Sequence, residues 1–149
     1  MQDLRVTLVQ ADQVWQDKKA NFTNYSRLLQ DIETDLIMLP EMFQTGFSMN
    51  VDILKEGFEQ SASIQWLKEL ASEKNAAIYT SLIIEEKNNI YNRGVFVKPD
   101  GGIICYDKRK AFGLAGEDQF FTAGQSETIV NYLGWNLQLQ ICYDLRFPE

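Results

Sequence analysis

The chain has 149 residues, 45% of them hydrophobic, with 14 basic and 21 acidic residues, two cysteines and no histidine. The absence of histidine excludes every mechanism that needs an imidazole from this chain, including the Ser-His-Asp and Cys-His pairs and the histidine-bearing zinc sites. A formal net charge of -7 argues against a nucleic-acid partner, because this charge repels phosphate backbones and anionic lipid surfaces.

The chain also shows no sign of a membrane or secreted protein. It has no apolar stretch of the roughly eighteen residues that span a membrane, and acidic Asp3 stands where a signal peptide would be basic. Cys105 and Cys142 match no metal-ligand spacing and are too few for a disulfide framework, which fits a reducing compartment. We therefore expect a cytoplasmic protein without a membrane or nucleic-acid partner, and one unit over residues 1–149.

Strands and helices alternate in the first half of the chain. Residues 4–9 alternate apolar and polar side chains as in a half-buried strand, and an amphipathic helix follows. The short apolar run 36–39, stopped by Pro40, is typical of a strand buried on both faces. A second amphipathic helix follows, which either Ser61 or Ser63 could cap. The apolar positions of the two helices are Phe22, Tyr25, Leu28, Leu29 and Ile32, and then Ile64, Trp66, Leu67, Leu70 and Ala71.

The second half of the chain is rich in strands. Residues 76–84, 90–98 and 103–106 are separated by polar turns, which predicts consecutive antiparallel neighbours. After a loop, strands are predicted at 128–132 and 135–141, the second leading directly into Cys142. The pattern indicates an α/β chain with a mixed sheet, in which strand ends deliver Glu41, Lys108 and Cys142. In open α/β sheets, functional sites gather where such ends meet.

Three segments carry the groups that could do chemistry. They are LPEMFQTGF around Glu41, YDKRKAFGLAGED around Lys108 and Glu117, and ICYDLRFPE around Cys142. In this order they resemble the three motifs of the nitrilase superfamily of carbon-nitrogen hydrolases, whose Glu, Lys and Cys act together. The similarity runs from the first strand to the last residue, and three ordered motifs are a specific signal.

The resemblance implies an α/β fold of a particular kind, the four-layer αββα sandwich in which two sheets pack face to face. Residues 1–149 would be the N-terminal part of that domain, which would be C-terminally incomplete. We therefore expect the strand before Cys142 to lack neighbours and apolar sheet surface to be exposed. The resemblance also implies a homo-oligomer, a dimer or larger, and no metal or organic cofactor.

The residues themselves support a covalent mechanism. A thiol with a pKa near 8.5 is only slightly ionised at neutral pH, so Cys142 needs a base or a nearby cation. Glu41, partly desolvated after Pro40, has the properties of that base. The fixed charge of Lys108 suits stabilisation of an oxyanion, a role in which one donor is typically worth about a hundred- to a thousandfold in rate. The backbone N–H of Tyr143 is a plausible second donor.

The resemblance assigns roles to the same residues. Glu41 would deprotonate Cys142, protonate the departing amine and activate the water that hydrolyses the thioester. Glu117 matches a second glutamate that many members place beside the lysine, and we interpret it as a positioning residue, although a hydrated turn is an equal alternative. The family's lysine motif usually runs Lys-x-His-Leu, so Lys110 replaces a histidine that is not part of the triad.

The motifs are most similar to those of the omega-amidase-like branch, which hydrolyses the terminal amide of 2-oxo acid monoamides such as 2-oxoglutaramate. Arg146 and the cluster 108–110 would attract a small anionic substrate, although Arg146 paired with an acidic side chain is slightly favoured. Hydrolysis of an N-carbamoyl amine or another small amide is the alternative within the family. Outside it, the chain could be a non-catalytic, truncated interaction module. A thiol redox protein is disfavoured, because there is no C-x-x-C and Cys105 fits a core thiol.

Overall fold

The computed structural model describes residues 3–147. Its strands and α-helices, in chain order, are β1 (Val6–Leu8), α1 (Lys18–Leu28), β2 (Leu36–Met38), α2 (Val51–Leu54), β3 (Glu56–Gly57), α3 (Ala62–Lys74), β4 (Ala77–Glu86), β5 (Asn89–Val97), β6 (Ile103–Asp107), β7 (Ile129–Tyr132) and β8 (Trp135–Gln138). Short 3-10 segments lie at Phe58–Gln60, Gly113–Ala115, Glu117–Gln119 and Cys142–Arg146. The predicted order of strands and helices is therefore confirmed.

The main sheet is mixed. Its strand order is β1-β2-β4-β5-β6, and β3 pairs with β4 beyond the end of β2. The pairs β1–β2, β2–β4 and β3–β4 are parallel, whereas β4–β5 and β5–β6 are antiparallel, as the polar turns predict. Because β2 and β3 occupy different stretches of the same edge of β4, a gap between them accommodates the loop that carries Glu41.

One face of the main sheet packs against helices α1 and α3. Alternate side chains of β4 and β5, among them Ile78, Leu82 and Val95, form a buried cluster with Tyr25 and Leu67 of the helices. The Asp17 side chain accepts a hydrogen bond from the Ala20 N–H at the start of α1. Ser61, rather than Ser63, caps α3. Helix α1 ends at Leu28, so the predicted apolar positions 29 and 32 lie beyond it.

The other face of the main sheet packs against a second, two-stranded sheet formed by β7 and β8. Phe96 and Tyr106 of the main sheet meet Val130, Leu139 and Ile141 there. Helices, main sheet and second sheet thus form three successive layers of the predicted sandwich. A helical layer over the second sheet is not seen among residues 3–147. The expectation that the strand before Cys142 lacks neighbours was wrong, because β7 pairs with β8 over its whole length.

The same strand is also shorter than predicted. It ends at Gln138 rather than at residue 141, and a 3-10 segment begins at Cys142. The Leu139 N–H still bonds to the Thr128 carbonyl, but the Ile141 N–H bonds to the Asp144 carboxylate instead of a neighbouring strand. A side chain has replaced the sheet as hydrogen-bond acceptor, so the backbone can turn sharply at Cys142.

Candidate active site

Glu41 lies in the loop that fills the gap beside β4. The Thr80 hydroxyl donates to the Pro40 carbonyl at 2.7 Å, and the Met42 N–H donates to the Ser81 hydroxyl at 3.0 Å. Met42 has a positive φ of 49°, which bends the chain immediately after the glutamate. Two hydroxyls of one strand therefore hold the peptide groups on both sides of Glu41 and aim its side chain over the sheet.

Lys108 follows β6 directly and is almost completely buried, with 4% of its surface exposed. Its backbone is fixed on two sides: the N–H donates to the Asn92 carbonyl, and the carbonyl accepts from the Gly124 N–H. Its ammonium lies 2.8 Å from Glu41 Oε1 and 2.9 Å from Glu117 Oε2. The structure thus brings three predicted residues from two separate motifs into one ion-pair network.

Glu117 is the most buried member of this network, with 1% of its surface exposed. Its Oε2 accepts from the Phe112 N–H at 2.6 Å in addition to Lys108, and its Oε1 accepts from Asn92 Nδ2 at 3.0 Å. A hydrated turn is therefore the wrong description of Glu117. A buried carboxylate with three donors is a fixed element of the site.

Cys142 stands at the start of its 3-10 segment with a positive φ of 46°, a left-handed conformation that is strained for a side chain of this kind. Two contacts hold the turn: Tyr79 donates to the Gln140 carbonyl at 3.0 Å, and the Asp144 carboxylate accepts from the Ile141 N–H at 2.9 Å. Tyr106 donates to the same carboxylate at 2.8 Å. The sharp turn leaves the Cys142 residue exposed.

The charges around Cys142 determine the protonation of its thiol. Partial desolvation raises the pKa of the Cys142 thiol, and the nearby Glu41 carboxylate raises it further, while Lys108 offsets only part of this. Burial would lower the pKa of the Lys108 ammonium, but the two carboxylates outweigh burial and raise it. Two carboxylates and one ammonium give the network a net charge of -1, so the resting thiol keeps its proton.

A cavity of about 200 Å³ connects the Cys142 thiol with the Glu41 carboxylate. Glu41 and Cys142 both line it, together with the side chains of Tyr79, Ile141 and Leu145. Its walls are mainly apolar, and its volume is that of a small organic molecule. Phe47 lies beside this region, with its ring centroid 5.4 Å from Lys108 Nζ. A small amide in this cavity would contact the thiol on one side and the glutamate on the other.

The remaining predicted residues lie around this site. The Tyr143 ring packs against Phe112 and Phe147, and its backbone N–H as an oxyanion donor stays a prediction. Arg146 is exposed, and no ion pair joins it to an acidic side chain within residues 3–147. Cys105 packs against the main core, where burial raises the pKa of its thiol to about 11.

Two buried residues of the site, Asn92 and Asp144, were not predicted from the sequence. Asn92 shares a face of β5 with Gly94 and Phe96, so period-two alternation marks it as a polar residue on an inward face. Asp144 lies inside the third motif, two residues after the cysteine. In the part of the chain that the structure describes, no cluster of three His, Cys, Asp or Glu side chains could hold a metal ion.

Comparison with known proteins identifies the family of the chain. The sequence profile named Carbon-nitrogen hydrolase matches residues 5–149. The chain belongs to the carbon-nitrogen hydrolase family. It is 40% identical to an omega-amidase, YafV, of Yersinia enterocolitica, covering 99% of this chain and 57% of the relative. It is 33% identical to a 2-oxoglutaramate amidase of Bacillus subtilis, covering 77% of this chain and 45% of the relative.

A solved structure also matches. It is XC1258 from Xanthomonas campestris, described as a CN-hydrolase superfamily protein with an arsenic adduct in its active site. The TM-score is 0.94 at 35% identity, covering 99% of this chain and 56% of that one. The predicted family and sandwich fold are thus confirmed, and the chain spans about half the length of these relatives. None of the helices within residues 3–147 has the length and apolar character needed to cross a membrane.

Proposed function

We propose that the protein is an amidase that hydrolyses the carbon-nitrogen bond of a small amide through a thioester on Cys142. The observation that carries the proposal is the buried Lys108 ammonium between the Glu41 and Glu117 carboxylates, beside the cavity that Glu41 shares with Cys142. The raised pKa of the thiol makes a base necessary, and Glu41 is the carboxylate that contacts both the ammonium and the thiol.

In the first half of the reaction, the Cys142 sulfur attacks the amide carbon while its proton passes to Glu41. Negative charge then moves from the carboxylate to the substrate oxygen, so the charge of the site does not change. The Lys108 ammonium, with the Tyr143 N–H as second donor, stabilises this oxyanion. The carbon-nitrogen bond breaks as Glu41 returns the proton to nitrogen, and ammonia leaves the thioester.

In the second half, water attacks the thioester carbon while Glu41 takes one of its protons. The new oxyanion forms in the same position and is stabilised by the same donors. The carbon-sulfur bond then breaks, the sulfur leaves as a thiolate, and Glu41 returns the proton to it. The carboxylic acid product departs, and the site regains its original protonation. No step needs a metal ion or an organic cofactor.

We propose a 2-oxo acid monoamide such as 2-oxoglutaramate as the substrate. The similarity to an omega-amidase and to a 2-oxoglutaramate amidase supports this choice. Attraction of an anionic substrate must come from exposed cations, because Lys108 is neutralised by two carboxylates and Arg109 pairs with Glu127. Lys110 and Arg146 are the exposed basic residues near the nucleophile turn. An N-carbamoyl amine is the second candidate substrate, since the same triad would cleave it.

A reducing compartment such as the cytoplasm suits this chemistry, because Cys142 must remain a thiol, and both cysteines are free. We also propose that the full-length enzyme is a homo-oligomer, a dimer or larger. A non-catalytic interaction module would need none of the buried charge described above. These charges are costly to bury without a use, which favours the enzyme.

The test uses the full-length protein. We expect 2-oxoglutaramate to release ammonia, and carbamoyl compounds to release much less. Cys142→Ala should abolish release while circular dichroism and the unfolding midpoint stay unchanged. When the wild-type protein is mixed with candidate amides and quenched with acid, mass spectrometry should detect a thioester adduct on Cys142, and Glu41→Gln protein should form none. Undiminished ammonia release by Cys142→Ala would refute the mechanism, and a preference for carbamoyl compounds would replace the substrate assignment.

A further inference from the structure

Asn92 is a buried polar residue that belongs to none of the three motifs. It lies on β5 with 2% of its surface exposed. Its Nδ2 donates to Glu41 Oε1 at 2.7 Å and to Glu117 Oε1 at 3.0 Å. A side-chain amide nitrogen has two protons, and here each proton has a carboxylate as its acceptor. Asn92 therefore connects the same two glutamates that Lys108 connects, without adding charge.

The orientation of this amide is determined by electrostatics. Its Oδ1 is buried and has no hydrogen-bond partner within residues 3–147. A half-turn of the amide would bring Oδ1 against two carboxylate oxygens, replacing two favourable contacts by two repulsive ones. The backbone is equally fixed, because β5 is paired on both sides and the Asn92 carbonyl accepts from the Lys108 N–H. The donor is thus held rigidly against the proposed base.

We propose that Asn92 is a positioning residue that fixes the Glu41 carboxylate for proton transfer with Cys142 and retains it while Lys108 turns to the oxyanion. The inference rests on the proposed function, in which Glu41 is the base. Lys108 cannot hold Glu41 throughout the reaction by itself, because its ammonium must bind the Glu41 carboxylate first and the substrate oxyanion afterwards.

The hydrogen-bond pattern on Glu41 supports this role. The contacts from Lys108 and Asn92 both fall on Oε1, so Oε2 is the oxygen free of these two donors. When Oε2 takes the thiol proton, Oε1 remains an acceptor and keeps its contact with Asn92. The attraction of Lys108 to Glu41 falls at that moment because the carboxyl has lost its charge. The neutral Asn92 donor therefore keeps Oε1 occupied, so that Oε2 is the oxygen that takes the proton. The same contact holds the Glu41 carboxyl group in place.

A pH profile can distinguish this role from a purely structural one. The groups that face Glu41 are Lys108, Glu117, Asn92, the Cys142 thiol and the Tyr79 hydroxyl. A donor to a carboxylate favours its ionised form, so loss of Asn92 should move the acid limb of kcat/KM to higher pH. Asn92→Asp, which has the same shape, would add a third carboxylate beside Glu41 and Glu117. It should therefore move the acid limb of kcat/KM further to higher pH.

The experiment measures kcat and KM against pH for the full-length protein with 2-oxoglutaramate, and the rate of Cys142 alkylation by iodoacetamide against pH. For Asn92→Ala we expect kcat to fall about ten- to hundredfold, KM to change less than about threefold, and the acid limb to rise. For Asn92→Asp we expect the acid limb of kcat/KM to shift to higher pH by about one unit or more. Asn131→Asp, which adds the same charge to the second sheet, should leave the limb in place.

Two outcomes would overturn the inference. One is a kcat within about twofold of the wild-type value in Asn92→Ala. The other is a loss of activity that is uniform across pH, with the acid limb unmoved, which is the behaviour of a structural residue. Asn92→Ala alone decides the question if Asn92→Asp does not fold. Glu41→Gln separates the two hypotheses. Retained activity in Glu41→Gln would refute Glu41 as the base. If Glu41→Gln is inactive and Asn92→Ala has wild-type activity, only the positioning role of Asn92 is refuted.

Discussion

Replacing Glu117 by glutamine removes a buried charge and almost no volume, so it tests the network directly. Within residues 3–147, the donors in contact with Glu117 are Asn92 Nδ2 on Oε1, and Lys108 Nζ with the Phe112 N–H on Oε2. A glutamine has one acceptor oxygen and one donor nitrogen in these two positions. In either orientation, its NH2 group therefore meets at least one donor.

The size of the effect follows from this count. The less harmful orientation places the NH2 group against Asn92 and sacrifices one hydrogen bond to a charged acceptor, worth about 1.5 to 3 kcal/mol of stability. Lys108 also loses one of its two carboxylate partners and is held more tightly by Glu41 alone. We expect kcat/KM to fall about ten- to hundredfold, which corresponds to about 1.4 to 2.7 kcal/mol of transition-state stabilisation.

The assays are ammonia release from 2-oxoglutaramate and urea-induced unfolding of the full-length protein. The matched control is Glu127→Gln, because Glu127 is a half-exposed partner of Arg109 on the surface. An exposed ion pair contributes about 0 to 1 kcal/mol, so this control should be nearly indistinguishable from the wild type. If Glu117→Gln behaves like Glu127→Gln in both assays, the buried network does not hold Glu41 in position, and the prediction is refuted.

Three further predictions follow from particular contacts. Alkylation of Cys142 by iodoacetamide should keep accelerating above pH 9, because its thiol pKa is raised; a plateau below pH 8 would contradict this. Gly124→Ala should destabilise the fold by about 3 kcal/mol or more in urea unfolding, since its Cβ would lie 2.0 Å from the Asp107 carbonyl oxygen, whereas Gly57→Ala, whose Cβ would make only an ordinary contact with Gln60 Oε1 at 3.8 Å, should change stability by about 1 kcal/mol or less. Asp144→Asn should lower kcat more than it changes KM, because its NH2 group would meet a backbone donor in either orientation, the Ile141 N–H of the Cys142 turn or the Lys110 N–H; equal kcat values would count against that turn as the support of Cys142.

The sequence predicted the local features well because each depends on neighbouring residues. Period-two patterns located the strands of the main sheet, and period-3.6 patterns located the helices that pack against it. The polar turns predicted the antiparallel part of the sheet. The ends of these elements were less accurate. Helix α1 ends before two predicted apolar positions, and β8 ends three residues early, because the Asp144 side chain takes the hydrogen bond that a strand neighbour would have taken.

The separation of β7 and β8 into a second sheet follows from packing rather than from pattern. A strand with one apolar face looks the same in sequence whether it joins the main sheet or covers it. Here the apolar side chains Val130 and Leu139 meet Phe96 and Tyr106 face to face. The contact buries apolar surface of both sheets, which a further strand at the edge of the main sheet would not have done.

The chemistry available to this protein can be read from its residues: without histidine, a thiol needs a carboxylate and an ammonium, and the three motifs contain Glu41, Lys108 and Cys142. How those groups are charged and held depends on the folded arrangement of the chain. Residues far apart in the chain meet over one sheet, where burial and a net charge of -1 keep the thiol protonated. Asn92 became part of the site for the same reason, since a side chain's contacts depend on which strands pair and not on its neighbours in sequence.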